Sequence, residues 1–153
     1  MLSMKAKYAL KALIHMARHG GAEQDAGGIT GSETGRMFAS KQIAEAEDIP
    51  QKFLDNILQQ LRQNGIVDSK RGIFGGYFLA RNPKDIFLGD IIRIIDGPLA
   101  PIRCASLTAY QKCEDCRDEA ACQLRHLMLD VRNAMSSVLD KRCLQDLVLN
   151  SAL

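Results

Sequence analysis

The stretch that decides the fold runs from Gln51 to Ala80 and reads QKFLDNILQQLRQNGIVDSKRGIFGGYFLA. Its first half repeats apolar residues at helical spacing, Phe53, Leu54, Ile57, Leu58 and Leu61, directly behind Pro50. A proline suits a first helical turn because its φ is preset and its missing N–H has no helical partner there. Gly65 stops the helix after Asn64. Two short β-prone runs follow, Ile66-Val67-Asp68-Ser69 and Tyr77-Phe78-Leu79-Ala80. Between them Lys70-Arg71-Gly72-Ile73-Phe74-Gly75-Gly76 reads as a basic, glycine-rich hairpin tip.

Upstream, Lys5 to His19 carries a helical stripe of Tyr8, Ala9, Leu10, Leu13, Ile14 and Ala17. Ser40 is placed to N-cap a short helix over Lys41 to Glu47. Three helices and then a hairpin is the order of a winged helix-turn-helix, in which the third helix reads the major groove. Downstream, Asn82-Pro83 breaks the second strand, and Phe87 to Asp96 forms a further helix closed by Gly97-Pro98. After a loop from Leu99 to about Ala121, a long helix spans Cys122 to about Arg142. Its apolar positions Leu124, Met128, Val131, Met135 and Val138 step by alternating fours and threes, the seam of a helix that packs on a second helix. The expected fold is mainly α with a small β-hairpin: a winged helix-turn-helix plus a long C-terminal dimerisation helix. Residues 1–97 make the DNA-binding domain, with a flexible loop at 20–39 that begins in a Gly-, Ser- and Thr-rich run. Residues 98–121 make a cysteine-rich sensor loop, 122–142 the dimerisation helix and 143–153 a C-terminal tail.

With 153 residues, 46% apolar and 25% charged, the chain has the composition of an ordinary globular protein. Its formal net charge of +2 means that nucleic-acid binding must come from a local basic surface. No apolar run approaches the roughly 20 residues of a membrane span. Lys5, Lys7 and Lys11 interrupt the apolar residues near the start, unlike a secretory signal. A cytoplasmic location is expected, where five cysteines serve as thiols or metal ligands rather than structural disulfides.

The N-terminal end of the third helix offers Gln51, Lys52, Asp55 and Asn56. Gln and Asn can pair with adenine, Lys with guanine or phosphate, and Asp with cytosine N4. Arg71 at the hairpin tip suits a phosphate or a minor groove, and Gly72, Gly75 and Gly76 allow close backbone approach. The bland alternative is a small helix–hairpin fold whose polar positions are simply solvated.

The run Phe53 to Val67, followed by Ser69-Lys70-Arg71-Gly72-Ile73-Phe74-Gly75-Gly76-Tyr77, resembles the bacterial regulator family that includes IscR, NsrR, RirA and CymR. Met4-Lys5-Ala6-Lys7-Tyr8-Ala9-Leu10 and Leu88-Gly89-Asp90-Ile91-Ile92 are similar to its opening and to its next helix. The resemblance implies a winged-helix homodimer on double-stranded DNA, at a partly palindromic operator. The candidate DNA-contacting set is Gln51, Lys52, Phe53, Asp55, Asn56, Arg71, Gly75, Gly76 and Tyr77.

Cys104, Cys113, Cys116 and Cys122 lie close enough in sequence to converge on one soft metal centre or cluster. By position, Cys104, Cys116 and Cys122 match the three ligands of the family's cluster-binding members. IscR-like members complete the set with a histidine three residues after the last cysteine, where this chain has Arg125, followed by His126. NsrR-like members use an N-terminal aspartate of the other subunit, where this chain has Lys7. Cys113, in Cys113-Glu114-Asp115-Cys116, supplies a fourth thiol instead. The expected cofactor is an iron–sulfur cluster, 2Fe–2S or 4Fe–4S, sensing iron, redox or nitrosative status. Zinc on the same four cysteines is the alternative, as is a metal-free regulator answering by thiol oxidation or to a protein partner, the latter as in CymR-like members. Cys143, a helix away, reads as a packed or idle thiol.

An enzyme is not expected. A thiol oxidoreductase built on Cys113 and Cys116 would need a βαβ setting that this segment lacks. The glycines from Gly72 to Gly76 lack the Lys-Ser/Thr ending of a phosphate loop. His15 and His19, one helical turn apart, read as ordinary surface or core histidines.

Overall fold

The computed structural model describes residues 2–20 and 36–149, so the expected flexible loop falls outside the described residues from 21 to 35. Helix α1, Met4–His19, is capped by Ser3, whose Oγ accepts the Ala6 N–H at 3.0 Å. Ser3 also bonds to Asp96, tying the start of α1 to the end of helix α4, Leu88–Asp96. Helix α2 spans Ser40–Glu47 and helix α3 Gln51–Gln63. Ser40 is not the N-cap expected of it. Ala39 holds the extended cap conformation, and Gln42 Oε1 reaches back to the Ala39 N–H at 3.3 Å.

Helix α3 buries Leu54, Ile57, Leu58 and Leu61 completely, each a contribution of roughly 1.5–3 kcal/mol before entropy is counted. Its end is a Schellman motif. Gly65 sits at φ +67°, the Gly65 N–H donates to Arg62 O and the Ile66 N–H to Leu61 O, both at 3.0 Å. The chain then turns into the antiparallel pair β1, Val67–Lys70, and β2, Gly76–Leu79, in the register Val67 with Leu79 and Lys70 with Gly76. The hairpin has a third member that the sequence hides. Phe38, inside the segment expected to be flexible, is 4% exposed and exchanges both backbone hydrogen bonds with Tyr77, at 2.9 and 2.8 Å.

The core gathers Ala6, Ala9, Leu13 and Met16 of α1 with the buried faces of α2, α3 and α4. Three alanines on one face of α1, Ala12 being the third, let the neighbouring helices approach closely. A loop containing a single 3₁₀ turn, Arg103–Ala105, leads to the long helix α5, Gln123–Leu139. The residues beyond are not all tail. Helix α6 spans Leu144–Leu149, and Leu144 is fully buried in the core. Antiparallel backbone bonds, Leu144 N–H to Ile86 O at 2.8 Å and Leu88 N–H to Arg142 O at 2.9 Å, fasten this return to the winged domain.

Candidate functional site

Because α3 buries one stripe, its opposite face is presented to solvent. Gln51, Lys52, Asp55 and Asn56 are all exposed, and 52, 55 and 56 share a face by helical spacing. Gln59 extends that face by one turn and was not singled out from the sequence. Phe53 departs from the expected buried stripe. It is 45% exposed and packs edge-on against Tyr8, ring centroids 5.9 Å apart.

Arg71 is exposed at the hairpin tip, as are Gly72, Ile73 and Phe74. Gly75 and Gly76 have a structural reason to be glycine. A Cβ on Gly75 would meet the Lys70 carbonyl, and one on Gly76 the Phe38 backbone. Tyr77 is half-buried against the core and pairs with Phe38. A recess of about 430 Å³ separates Ile73, Phe74 and Gly75 from Arg36, Met37, Ala39 and Gln42.

The cysteine loop is fixed at both ends. Cys104 is buried in its 3₁₀ turn, and Cys122 caps α5, its Sγ accepting the Arg125 N–H at 3.4 Å. Arg125 Nε donates to Cys104 O at 3.1 Å and Arg132 Nη1 to Ala105 O at 3.0 Å, so α5 grips the turn that carries Cys104. Across the loop, the Tyr110 hydroxyl donates to the Glu119 carboxylate at 2.6 Å.

Within this frame the four thiols are close enough to affect one another. Cys113 lies against Cys104, and that hydrogen bond, with burial and the neighbouring Cys104, Asp115 and Cys116, pushes the Cys113 thiol up to about 11. Burial foremost, then the charge of and hydrogen bond to Cys122, with Glu119 and Asp115 adding, pushes the Cys116 thiol up as well. Among the described residues, no three His, Cys, Asp or Glu groups are gathered around a single point that could hold one metal ion. Cys113 and Cys116 stay linked through the backbone, the Cys116 N–H donating to Cys113 O at 3.4 Å. His126 is exposed, with its backbone N–H bonded to Cys122 O at 3.1 Å. Cys143 is half-buried away from the loop, its thiol donating to Asp146 Oδ2 at 3.4 Å.

His15 of the first helix finds a partner that sequence spacing does not reveal. His15 Nδ1 lies 3.1 Å from Glu47 Oε1, and Lys11 bonds to Glu47 as well. This cluster clamps α1 to the end of α2.

A family model described as Rrf2, iron-dependent transcriptional regulator, matches residues 2–150. An Rrf2-like HTH-type regulator of Rhodobacter capsulatus is 38% identical over 148 residues, covering 97% of this chain and 92% of the relative. CymR of Bacillus subtilis is 32% identical, covering 95% and 88%. IscR of Xenorhabdus nematophila is 30% identical, covering 97% and 79%. Among solved structures, CymR of B. subtilis, described as the global cysteine regulator, aligns with a TM-score of 0.73 at 31% identity, covering 98% of this chain and 97% of that one. IscR of T. potens aligns with a TM-score of 0.70 at 27% identity, covering 99% and 88%. No described helix is long and apolar enough to cross a membrane.

Proposed function

Because the chain belongs to the Rrf2 family of transcriptional regulators, we propose that it binds operator DNA as a homodimer and senses iron, redox or nitrosative status through an iron–sulfur cluster. The family is one of transcription regulators, and the chain is not an enzyme. Cys104, Cys113, Cys116 and Cys122 are the proposed ligands. The observation that carries this reading is the confinement of four free cysteines to the segment between the buried 3₁₀ turn at Cys104 and the N-cap of α5 at Cys122.

Four thiolates can hold either a 2Fe–2S or a 4Fe–4S centre. Zinc would need all four around one ion. When bound, such a cluster supplies a centre that changes charge and integrity with oxidant, nitric oxide or iron supply. The chain's own residues would transmit the change. Arg125 and Arg132 link the Cys104 turn to α5, and the far end of α5 is joined to α4 of the winged domain through Asp140 and Arg93. Movement of the turn is thereby coupled to the spacing of two recognition helices in a dimer. Gln51, Lys52, Asp55 and Asn56 would meet base edges in a partly palindromic operator, and Arg71 a phosphate or the minor groove. Phe53, Gly75, Gly76 and Tyr77 would support that surface. On this reading residues 1–97 bind DNA, 98–121 sense and 122–142 dimerise. The α5 seam supports dimerisation: Leu124 is 58% and Val138 57% exposed, and no α5 residue is buried.

The likeness to a global cysteine regulator favours a second reading, in which the thiols themselves respond to cysteine or oxidant status without a metal. Purification without oxygen, followed by a visible spectrum and iron, zinc and acid-labile sulfide analysis, separates the two. Absorption near ~400 nm with iron and sulfide in equal amounts is expected of the cluster protein. One zinc per chain, or no metal at all, overturns the cluster assignment.

A further inference from the structure

The hairpin tip carries a feature that phosphate contact does not explain. Ile73 and Phe74 are 98% and 92% exposed, side by side at the end of the wing. Hairpin tips are ordinarily polar, with glycine where the turn demands it. Gly72 and Gly75 already serve the turn here, leaving two large apolar residues in water with no folding role. Such a breach of a local rule marks a functional position when its surroundings name a partner.

The surroundings are cationic. Lys70 and Arg71 flank the pair and are exposed, Arg36 lines the recess beside it, and no acidic residue occurs between Ser69 and Asn82. An apolar point within a ring of cations complements a nucleic-acid groove, whose phosphates edge a floor of stacked bases. It is a poor match for a second copy of the same positive patch.

We propose that Ile73 and Phe74 form a wedge that enters the minor groove at the operator flank, with Phe74 pressing into a base step and partly unstacking it. This rests on the DNA-binding reading above and adds a role that the polar residues of the wing cannot fill. Lys70 and Arg71 hold the flanking phosphates while the wedge reads deformability: a pyrimidine–purine step yields easily and a stiff step does not. Preference for sequence at the flank then arises without a base-edge hydrogen bond.

The test starts from duplexes selected from random sequence by the full-length protein, carrying 2-aminopurine at successive flank positions. Wild type should raise 2-aminopurine fluorescence at one flanking step in each half-site. Phe74→Ala should abolish that rise and weaken binding about tenfold, the scale of one lost aromatic–base stack. Its salt dependence should match wild type, whereas Arg71→Ala should lower the salt slope by about one counterion. Phe74→Trp should restore both fluorescence and affinity, and Ile73→Ala should show the same losses in milder form. The proposal is overturned if Phe74→Ala binds the selected duplex within twofold of wild type and wild type leaves every 2-aminopurine quenched. A Phe74→Ala effect confined to self-association in sedimentation overturns it equally. Failure to enrich any duplex would overturn the DNA-binding reading as well, which distinguishes the two failures.

Discussion

Arg93 of α4 and Asp140 at the end of α5 meet as a fork, Nη1 2.8 Å from Oδ1 and Nη2 2.8 Å from Oδ2. The side-chain hydrogen bond from Arg93 holds the Asp140 carboxyl below the usual carboxylate range, against a smaller opposing effect of burial. Asp140 in turn raises the Arg93 guanidinium. Asp90 adds a longer contact to Arg93 at 3.4 Å. This fork ties the winged domain to the far end of the long helix.

Asp140→Asn should therefore destabilise the fold by about 1 kcal/mol at neutral pH, the upper range for a partly exposed pair with bidentate geometry. The sign of the pH dependence follows from the depressed carboxyl. Its contribution is complete above the unfolded value of about 4 and is lost as the pH falls through the lower folded value. Urea unfolding of both chains across a pH series should show the gap between them close in acid. A gap that stays constant down to low pH would mean that the pair contributes nothing through charge.

The return of the chain after α5 carries a second expectation. Leu144 is fully buried in the core, and truncation of a buried leucine typically costs 2–5 kcal/mol. Leu144→Ala should fall in the middle of that range, about 3 kcal/mol, by denaturant unfolding. A loss below about 1 kcal/mol would place residues 143–149 outside the cooperative unit.

Much of this architecture was legible in the sequence, for identifiable reasons. Helix α3 and the hairpin rest on local signals, a proline at one end, a Schellman glycine at Gly65 and glycines at the tip, and the fold keeps their order. Phe38 was not legible, because a single bridging residue has no periodicity and its partner Tyr77 lies far along the chain. Helix α6 is too short for a pattern to declare it, and its burial depends on backbone pairing with Ile86 to Leu88. Ser40 carries the preferred cap chemistry, yet Gln42 reaching back to Ala39 moved the start by one residue. The cysteine spacing marked the loop, but the burial of Cys104 in a 3₁₀ turn and the capping of α5 by Cys122 leave no trace in that spacing.

On the proposed dimer, Val131→Glu combined with Leu124→Glu should place charges along the exposed seam of α5 and convert the protein to monomer in sedimentation equilibrium. Because neither residue is buried within the chain, thermal stability of the monomer should be unaffected. A dimer that survives both changes would put the interface elsewhere.

At the proposed cluster site, Cys104→Ala, Cys113→Ala, Cys116→Ala and Cys122→Ala should each abolish or destabilise the iron–sulfur chromophore in anaerobically reconstituted protein. Cys143→Ala should leave it intact, since Cys143 sits apart and bonds to Asp146. Retention of the full chromophore by Cys113→Ala would remove that thiol from the ligand set and return the fourth position to another donor.

The most direct measurement compares operator binding by the anaerobic cluster-loaded protein and by the same protein after chelator treatment, at one salt concentration. The selected duplex and fluorescence anisotropy suffice for both titrations. A coupling of about 1–3 kcal/mol separates the two curves by roughly 5- to 150-fold. Such a separation, lost in Cys104→Ala, is the expected result. Superimposed curves for loaded and metal-free protein would contradict the assignment of the four-cysteine loop as the sensor.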